Sequence, residues 1–226
     1  MNPSDIIQKI HQTAPGQDVQ VLDNFVMFRV DKHRFRYGQS YALLRGDQMI
    51  LVDAVHRATR DAVDRWREKY TPVALILTHS DLLSQAFGPM SKVSEWLDAP
   101  VLIHSQDRNG QAVQHIEEAD ELLRQHQLRY FHVPGHTPGS LMLYAEPEQF
   151  LFTGDSAVGD NYEKETISFT HPPMSQTDWK LFSRAWYAVD IPVQGIFPLH
   201  GKPAFAPGNL AEFKQSLLVP ENVMRE

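Results

Sequence analysis

Apolar residues fall along the chain in short blocks separated by polar turns, and the spacing within each block assigns the elements. Val19 to Val30 is rich in β-branched and aromatic residues and reads as strand. Ser40 to Asp53 reads as a hairpin: Tyr41 to Leu44, the turn pair Gly46-Asp47, then Met49 to Val52. From Arg57 to Tyr70 the period changes. Ala58, Ala62, Trp66 and Tyr70 recur on one helical face, and Pro72 ends the predicted helix. Val73 to Leu77 and Val101 to Ile103 are continuous apolar runs, the pattern of strands buried on both faces.

Ser91 to Leu97 and Ile116 to Gln125 are predicted helices, the second with carboxylates near its start, where the helix dipole favours them. Arg129 to Val133, Leu141 to Tyr144 and Phe150 to Thr153 read as strands. Thr177 to Val189 reads as a helix with Phe182, Trp186 and Val189 on its core face. Gly195 to Pro198 is a last strand, and Leu210, Phe213 and Leu217 mark a closing helix. Strands with interspersed helices predict sheets covered by helices, in a single domain spanning residues 1–226. Ala157 to Gln176 is the longest stretch without periodicity, a candidate lid or binding loop.

Composition narrows the chemistry. The chain has no cysteine, which excludes disulfides, thiolate zinc ligands and a cysteine nucleophile. A formal net charge of -7 without a dense Lys/Arg cluster argues against a nucleic-acid partner. Met1 to His11 has no apolar run, so it does not read as a signal peptide. No stretch reaches the ~18 apolar residues of a membrane span. The expectation is a cytoplasmic protein with a small-molecule substrate, no membrane or nucleic-acid partner, and a possible homo-oligomeric state.

The chain carries 11 histidines, and their placement matters more than their number. Four polar clusters each follow directly on an apolar strand. Val73 to Leu77 runs into Thr78-His79-Ser80-Asp81, and Tyr130 to Val133 into Pro134-Gly135-His136-Thr137-Pro138-Gly139-Ser140. Phe150 to Gly154 ends in Asp155, and Gly195 to Leu199 in His200-Gly201. Strand ends on one side of a sheet are where sites are built. Imidazoles and carboxylates converging there suit zinc or iron. Around His136 the glycines permit tight turns and the prolines stiffen the loop, the rigid support a ligand needs.

In this order the motifs resemble the metallo-β-lactamase superfamily, whose members include glyoxalase II and related thioester and lactone hydrolases. The resemblance runs from roughly Ser40 to Gly201 and implies an α/β fold, a four-layer αββα sandwich with its site at the edge of two sheets. It makes Asp53 a supporting residue beside the metals, and His79, Asp81, His136, Asp155 and His200 the metal ligands, with Asp81, Asp155 and His200 as catalytic candidates. The first loop departs from the family's T-H-x-H-x-D-H. Asp81 stands at the second histidine, Leu83 at the aspartate and Ser84 at the last histidine. The first metal would keep His79, Asp81, His136 and bridging Asp155, whereas the second would keep only Asp155 and His200. One divalent ion per chain is therefore expected: zinc first, with iron or manganese as alternatives.

Other residues enter as weaker candidates. His56 is a possible substitute ligand, and Tyr162 and His171 lie where the family contacts substrate. His104 and Asp107 read as loop residues, and His33, His115 and His126 as surface. The leading functional expectation is a metal-dependent hydrolase of a small ester, thioester or lactone with a reduced, mononuclear site. Two alternatives stand beside it. His79, His136 and Asp155 match the two-His, one-carboxylate set of non-haem iron dioxygenases, and a catalytically silent member could bind a ligand in the old site.

Overall fold

The structure is a computed structural model, and it describes residues 3–30, 38–163, 169–170, 178–205 and 217–218. An amphipathic helix, α1 (Pro3–Gln12), leads into a seven-stranded sheet. Its strands lie side by side in chain order: β1 (Asp18–Leu22), β2 (Phe25–Arg29), β3 (Gln39–Arg45), β4 (Gln48–Val52), β5 (Thr71–Ile76), β6 (Val101–Ile103) and β7 (Gln114–His115). Pairing is antiparallel up to β4 and parallel from β4 to β7. The parallel half needs crossovers. These are α2 (Arg60–Arg67), then α3 (Asp81–Gln85) with α4 (Met90–Leu97).

After α5 (Asp120–Gln125) the chain builds a second sheet from β8 (Leu128–His132), β9 (Leu141–Ala145) and β10 (Phe150–Gly154). Short two-residue strands follow: β11 (Val158–Gly159), β12 (Phe169–Thr170) and, later, β14 (Ala204–Phe205). Helix α6 (Trp179–Ala188) and β13 (Gly195–Pro198) intervene, and β15 (Leu217–Leu218) comes last. The second sheet has the order β14-β13-β10-β9-β8, and β11-β12-β15 form a small third sheet.

Side-chain alternation stacks these pieces in four layers. Tyr41, Leu43, Ile50, Val52 and Ile76 point inward and meet Leu141, Leu143, Phe150, Phe152 and Phe197 of the second sheet. Phe197 is the hub of this seam, with ring centroids 4.7 Å from both Phe25 and Phe150. The alternate residues Ala42, Leu51, Leu75 and Leu77 face outward and are covered by Ala62, Val63, Val93 and Leu97 of α2 and α4. Phe182 and Trp186 of α6 cover Met142, Leu151 and Ile196. Both faces of each sheet are thus buried, which is why its strands read as unbroken apolar runs. Each of the Val, Leu, Ile, Met and Phe side chains among them contributes about 1.5–3 kcal/mol on full burial.

Several sequence expectations need correction. Val19 to Val30 is two strands, because Asp23-Asn24 turns the chain. Both predicted helices with acidic or Ala/Trp faces begin as 3-10 turns, at Arg57–Thr59 and Ile116–Glu118; the first ends at Arg67, short of Tyr70, whereas the second ends at Gln125 as expected. Leu217 lies in strand β15 rather than a closing helix, and positions 210 and 213 lie outside the described residues. His126 is buried, not on the surface, and burial holds its imidazole below the usual range, with Arg45 adding to the effect. No helix among the described residues is long and apolar enough to cross a membrane.

Candidate metal centre

His79 stands three residues beyond β5, at the edge where the two sheets meet. Its backing is a hydrogen-bonded relay. Asp53, just past β4 with a left-handed φ of 57°, accepts the Thr78 backbone N–H at 2.8 Å and the Thr78 hydroxyl at 2.9 Å. The Thr78 Oγ1 lies 3.0 Å from His79 Nδ1. With the Thr78 proton on Asp53, the hydroxyl oxygen accepts from Nδ1–H, so Nε2 carries the lone pair. That is the tautomer a metal requires. Burial lowers the His79 pKa, opposed by Asp155 and aided by His136, so the ring is held neutral. Burial also pushes the Asp53 carboxyl up from 3.8 to about 7, against the two Thr78 hydrogen bonds.

His136 comes from the loop between β8 and β9, Asp155 directly follows β10, and His200 follows β13. Gly154 makes the Asp155 turn possible. Its φ is 53°, and a Cβ there would lie 2.2 Å from Thr78 Oγ1. The two sheets therefore touch where the ligands emerge. Asp155 Oδ2 lies 3.7 Å from His79 Nε2, 3.8 Å from His136 Nε2 and 3.8 Å from His200 Nε2. Asp81 Oδ2 lies 3.5 Å from His136 Nε2. His79 and His136 are buried, whereas the Asp81 side chain is 46% exposed and that of His200 33%.

These separations exceed hydrogen-bond length. Ligand atoms about 2.1 Å from a common tetrahedral ion would stand roughly 3.4 Å apart. One ligand atom each from His79, Asp81 and His136 lies within 4.8 Å of the other two. His79 Nε2 and Asp155 Oδ1 are buried without a hydrogen-bond partner among the described residues. Unpaired buried groups of this kind are costly unless something completes them. The donor set of imidazoles and carboxylates fits a divalent ion, with His79, Asp81, His136 and Asp155 as the residues that would hold it.

The missing half of the first loop is accounted for by α3. Leu82 is buried and Leu83 packs on the outer core, while Ser84 is exposed and donates its hydroxyl to the Asp81 carbonyl. His56 caps the 3-10 turn Arg57–Thr59, its Nδ1 accepting from Ala58 N at 3.1 Å, and it stands outside the close His79, Asp81, His136 group. Tyr162 is buried rather than turned to a substrate. Its hydroxyl donates to Gln39 Oε1 at 2.7 Å, and its ring stacks on His11. His171 lies outside the described residues.

Two supporting residues escape the sequence reading. Gln39 Nε2 donates to the carbonyls of Pro198 and Gly201, at 3.0 and 2.7 Å, and its backbone N–H to Leu199 O at 2.9 Å. It therefore brackets His200. Asp107, fully buried, accepts from Ser80 N at 2.9 Å, from Gly139 N at 2.8 Å and from the Thr137 hydroxyl. Its one sequence signal is that it too follows an apolar strand, Val101 to Ile103.

Two packed sheets with helices outside, and histidines and carboxylates gathered at the ends of β5, β8, β10 and β13, make this the metallo-β-lactamase fold. A scan of protein-family models found none that matches the chain. The chain is 29% identical over 147 residues to "Probable metallo-hydrolase YybB" of Bacillus subtilis (strain 168), covering 57% of this chain and 63% of that protein. It is 25% identical over 137 residues to "Probable metallo-hydrolase YqgX" of the same organism, covering 51% and 64%. The chain thus spans under two thirds of the length of these curated relatives. Among solved structures it is similar to DIM-1 metallo-beta-lactamase, with a TM-score of 0.63 at 15% identity over 88% of this chain and 94% of that one. It is also similar to ETHE1 from Myxococcus xanthus, with a TM-score of 0.57 at 16% identity over 84% and 81%. The structural likenesses show the metallo-β-lactamase fold, and the two curated relatives that the chain resembles are both named as probable metallo-hydrolases.

Proposed function

We propose that the chain is a metal-dependent hydrolase with a single divalent ion, zinc first among candidates, acting on a small ester, thioester or lactone. The observation that carries this reading is the gathering of donors around two imidazoles: Asp155 Oδ2 lies 3.7 Å from His79 Nε2 and 3.8 Å from His136 Nε2, Asp81 Oδ2 lies 3.5 Å from His136 Nε2, and His79 Nε2 and Asp155 Oδ1 are buried without hydrogen-bond partners among the described residues. The bound ion would supply a Lewis acid and lower the pKa of water. The rest falls to the chain. The Asp53–Thr78 relay presents His79 as a lone-pair donor. Asp81, the exposed carboxylate at the mouth, takes the proton of the attacking water. His200, beside Asp155 and 33% exposed, enters as the imidazolium, gives its proton to the leaving oxygen or sulfur, and is reprotonated from solvent as Asp81 releases the proton taken from water.

The test is protein purified without added metal. Elemental analysis should give roughly one ion per chain, and hydrolysis of a thioester and lactone panel should be lost to chelator and recovered with zinc. Protein that takes up no ion, or a His136→Ala variant that hydrolyses as fast as wild type, would refute the reading. A second reading rests on Asp155 Oδ2 at 3.7 and 3.8 Å from two imidazoles, a two-His, one-carboxylate set. Iron as the purified metal, with oxygen uptake and no hydrolysis, would favour it.

A further inference from the structure

We infer that Asp107 is a positioning residue that sets the distance between the two loops carrying the metal ligands; this rests on the metal-centre reading above. One of its oxygens, Oδ2, takes the backbone N–H of Ser80, the residue between His79 and Asp81. The same oxygen takes the Thr137 hydroxyl, next to His136, and Oδ1 takes the Gly139 N–H on the far side of that loop. A single buried carboxylate thus ties the loop after β5, in the first sheet, to the loop after β8, in the second.

The surrounding sequence is built to this contact. Gly139 has to be glycine, since a Cβ would lie 2.7 Å from Asp107 Cγ and 2.9 Å from its backbone nitrogen. Ser140 closes the loop behind Thr137, accepting the Thr137 N–H at 2.9 Å and lying 2.7 Å from its hydroxyl. The Thr137 hydroxyl can then donate to Asp107 while accepting from Ser140. Asp107 itself is held by the 3-10 turn Ser105–Asp107, whose cap is His104: Nδ1 accepts from Gln106 N at 3.3 Å and the carbonyl from Asp107 N at 2.9 Å. His104 stacks on His132 at 3.9 Å, and His132 Nε2 lies 2.9 Å from Pro138 O, so the turn and the ligand loop are joined a second time.

Two of the candidate ligands, His79 and Asp81, come from one side of this tie and one, His136, from the other, with Asp155 beside them. Cutting it should leave the ligands present but their spacing loose. Removal of groups that orient metal ligands costs about 10- to 100-fold in metal affinity.

The experiment uses zinc alone as the probe. Wild type, Asp107→Ala and a core control, Leu97→Ala in α4, are titrated with zinc against a competing chelator well below their melting temperatures. The cobalt-substituted visible spectrum of each is recorded. Asp107→Ala should lose about 10-fold or more in affinity and change its cobalt spectrum. Leu97→Ala should lose melting temperature and keep both. If Asp107→Ala does not fold, Asp107→Asn decides, because it keeps the shape but sets an amide N–H₂ against donors. Unchanged affinity and spectrum in a folded Asp107 variant overturn this inference alone. A wild type that binds no zinc overturns the metal-centre reading as well, and this inference with it.

Discussion

Asp53→Asn should make the metal-free protein more stable and its metal binding worse. Asp53 is buried at 2% exposure with its carboxyl raised from 3.8 to about 7. Between those values the folded chain binds more protons than the unfolded one, so stability falls as pH rises through that window and is flat above it. The loss above pH 7 is about 4 kcal/mol, since each pH unit is worth about 1.4 kcal/mol. Asparagine has the shape of the neutral acid and tolerates the left-handed φ of 57°. It should therefore recover about 4 kcal/mol at pH 8 and about 2 kcal/mol at pH 5. For a chain of this size that is a rise in melting temperature on the order of 10 °C at pH 8. The same change reverses the relay. An amide N–H donates to Thr78 Oγ1, the Thr78 proton turns to His79 Nδ1, and Nε2 takes the hydrogen instead of the lone pair. Zinc affinity should fall about 10- to 100-fold. The assays are melting curves in chelator from pH 4 to pH 8 and a zinc titration at pH 8. Equal melting temperatures for variant and wild type at pH 8 would show that burial does not hold up the Asp53 carboxyl, and the argument fails.

Other expectations follow from the ligand loops. Asp81→Ala should weaken zinc binding about as much as His79→Ala, whereas Asp81→His should retain it; competition titration separates these, and an unchanged Asp81→Ala removes Asp81 from the ligand set. Gln39→Leu deprives Gly201 O and the Tyr162 hydroxyl of their bonds to this side chain. It should cost on the order of 2–4 kcal/mol in denaturant unfolding, and a loss under 0.5 kcal/mol would show that Gln39 does not brace His200. The triple variant Asp81→His, Leu83→Asp, Ser84→His should take up a second ion. Leu83 packs on the core, so the metal-free variant should melt below wild type and recover with zinc. A folded variant that still holds one ion would show that α3 keeps these positions away from the site.

The positions of the candidate ligands were legible because each is local in sequence: an apolar strand, then a polar residue at its end, repeated four times. Burial of both sheet faces made those strands continuous runs, so β3, β4, β5, β9, β10 and β13 fall where the pattern puts them. What was not legible depends on contacts between distant residues. Asp107 reads as a loop residue until folding brings it against Ser80 and Gly139, 27 and 32 positions away. Tyr162 reads as a substrate contact until its hydroxyl meets Gln39, 123 positions back. Helix α3 is five residues long and too short to show a period. His126 illustrates the limit of polarity as a guide, since an imidazole can pack by its ring face and edge as readily as it hydrates.

The division of the chain between the two large sheets has a consequence for synthesis on the ribosome. Every strand of the first sheet lies between residues 18 and 115, and every strand of the second between 128 and 205. The first sheet is thus complete while Phe25, Tyr41, Ile50 and Ile76 still face water, because their cover has yet to be made. At the ~5–20 residues per second of translation, the 90 residues from 116 to 205 keep that apolar face open for roughly 5 to 20 seconds. His200, near the end of that stretch, is the last of the five site residues to emerge. The interval before it appears is when the nascent chain is most in need of a chaperone.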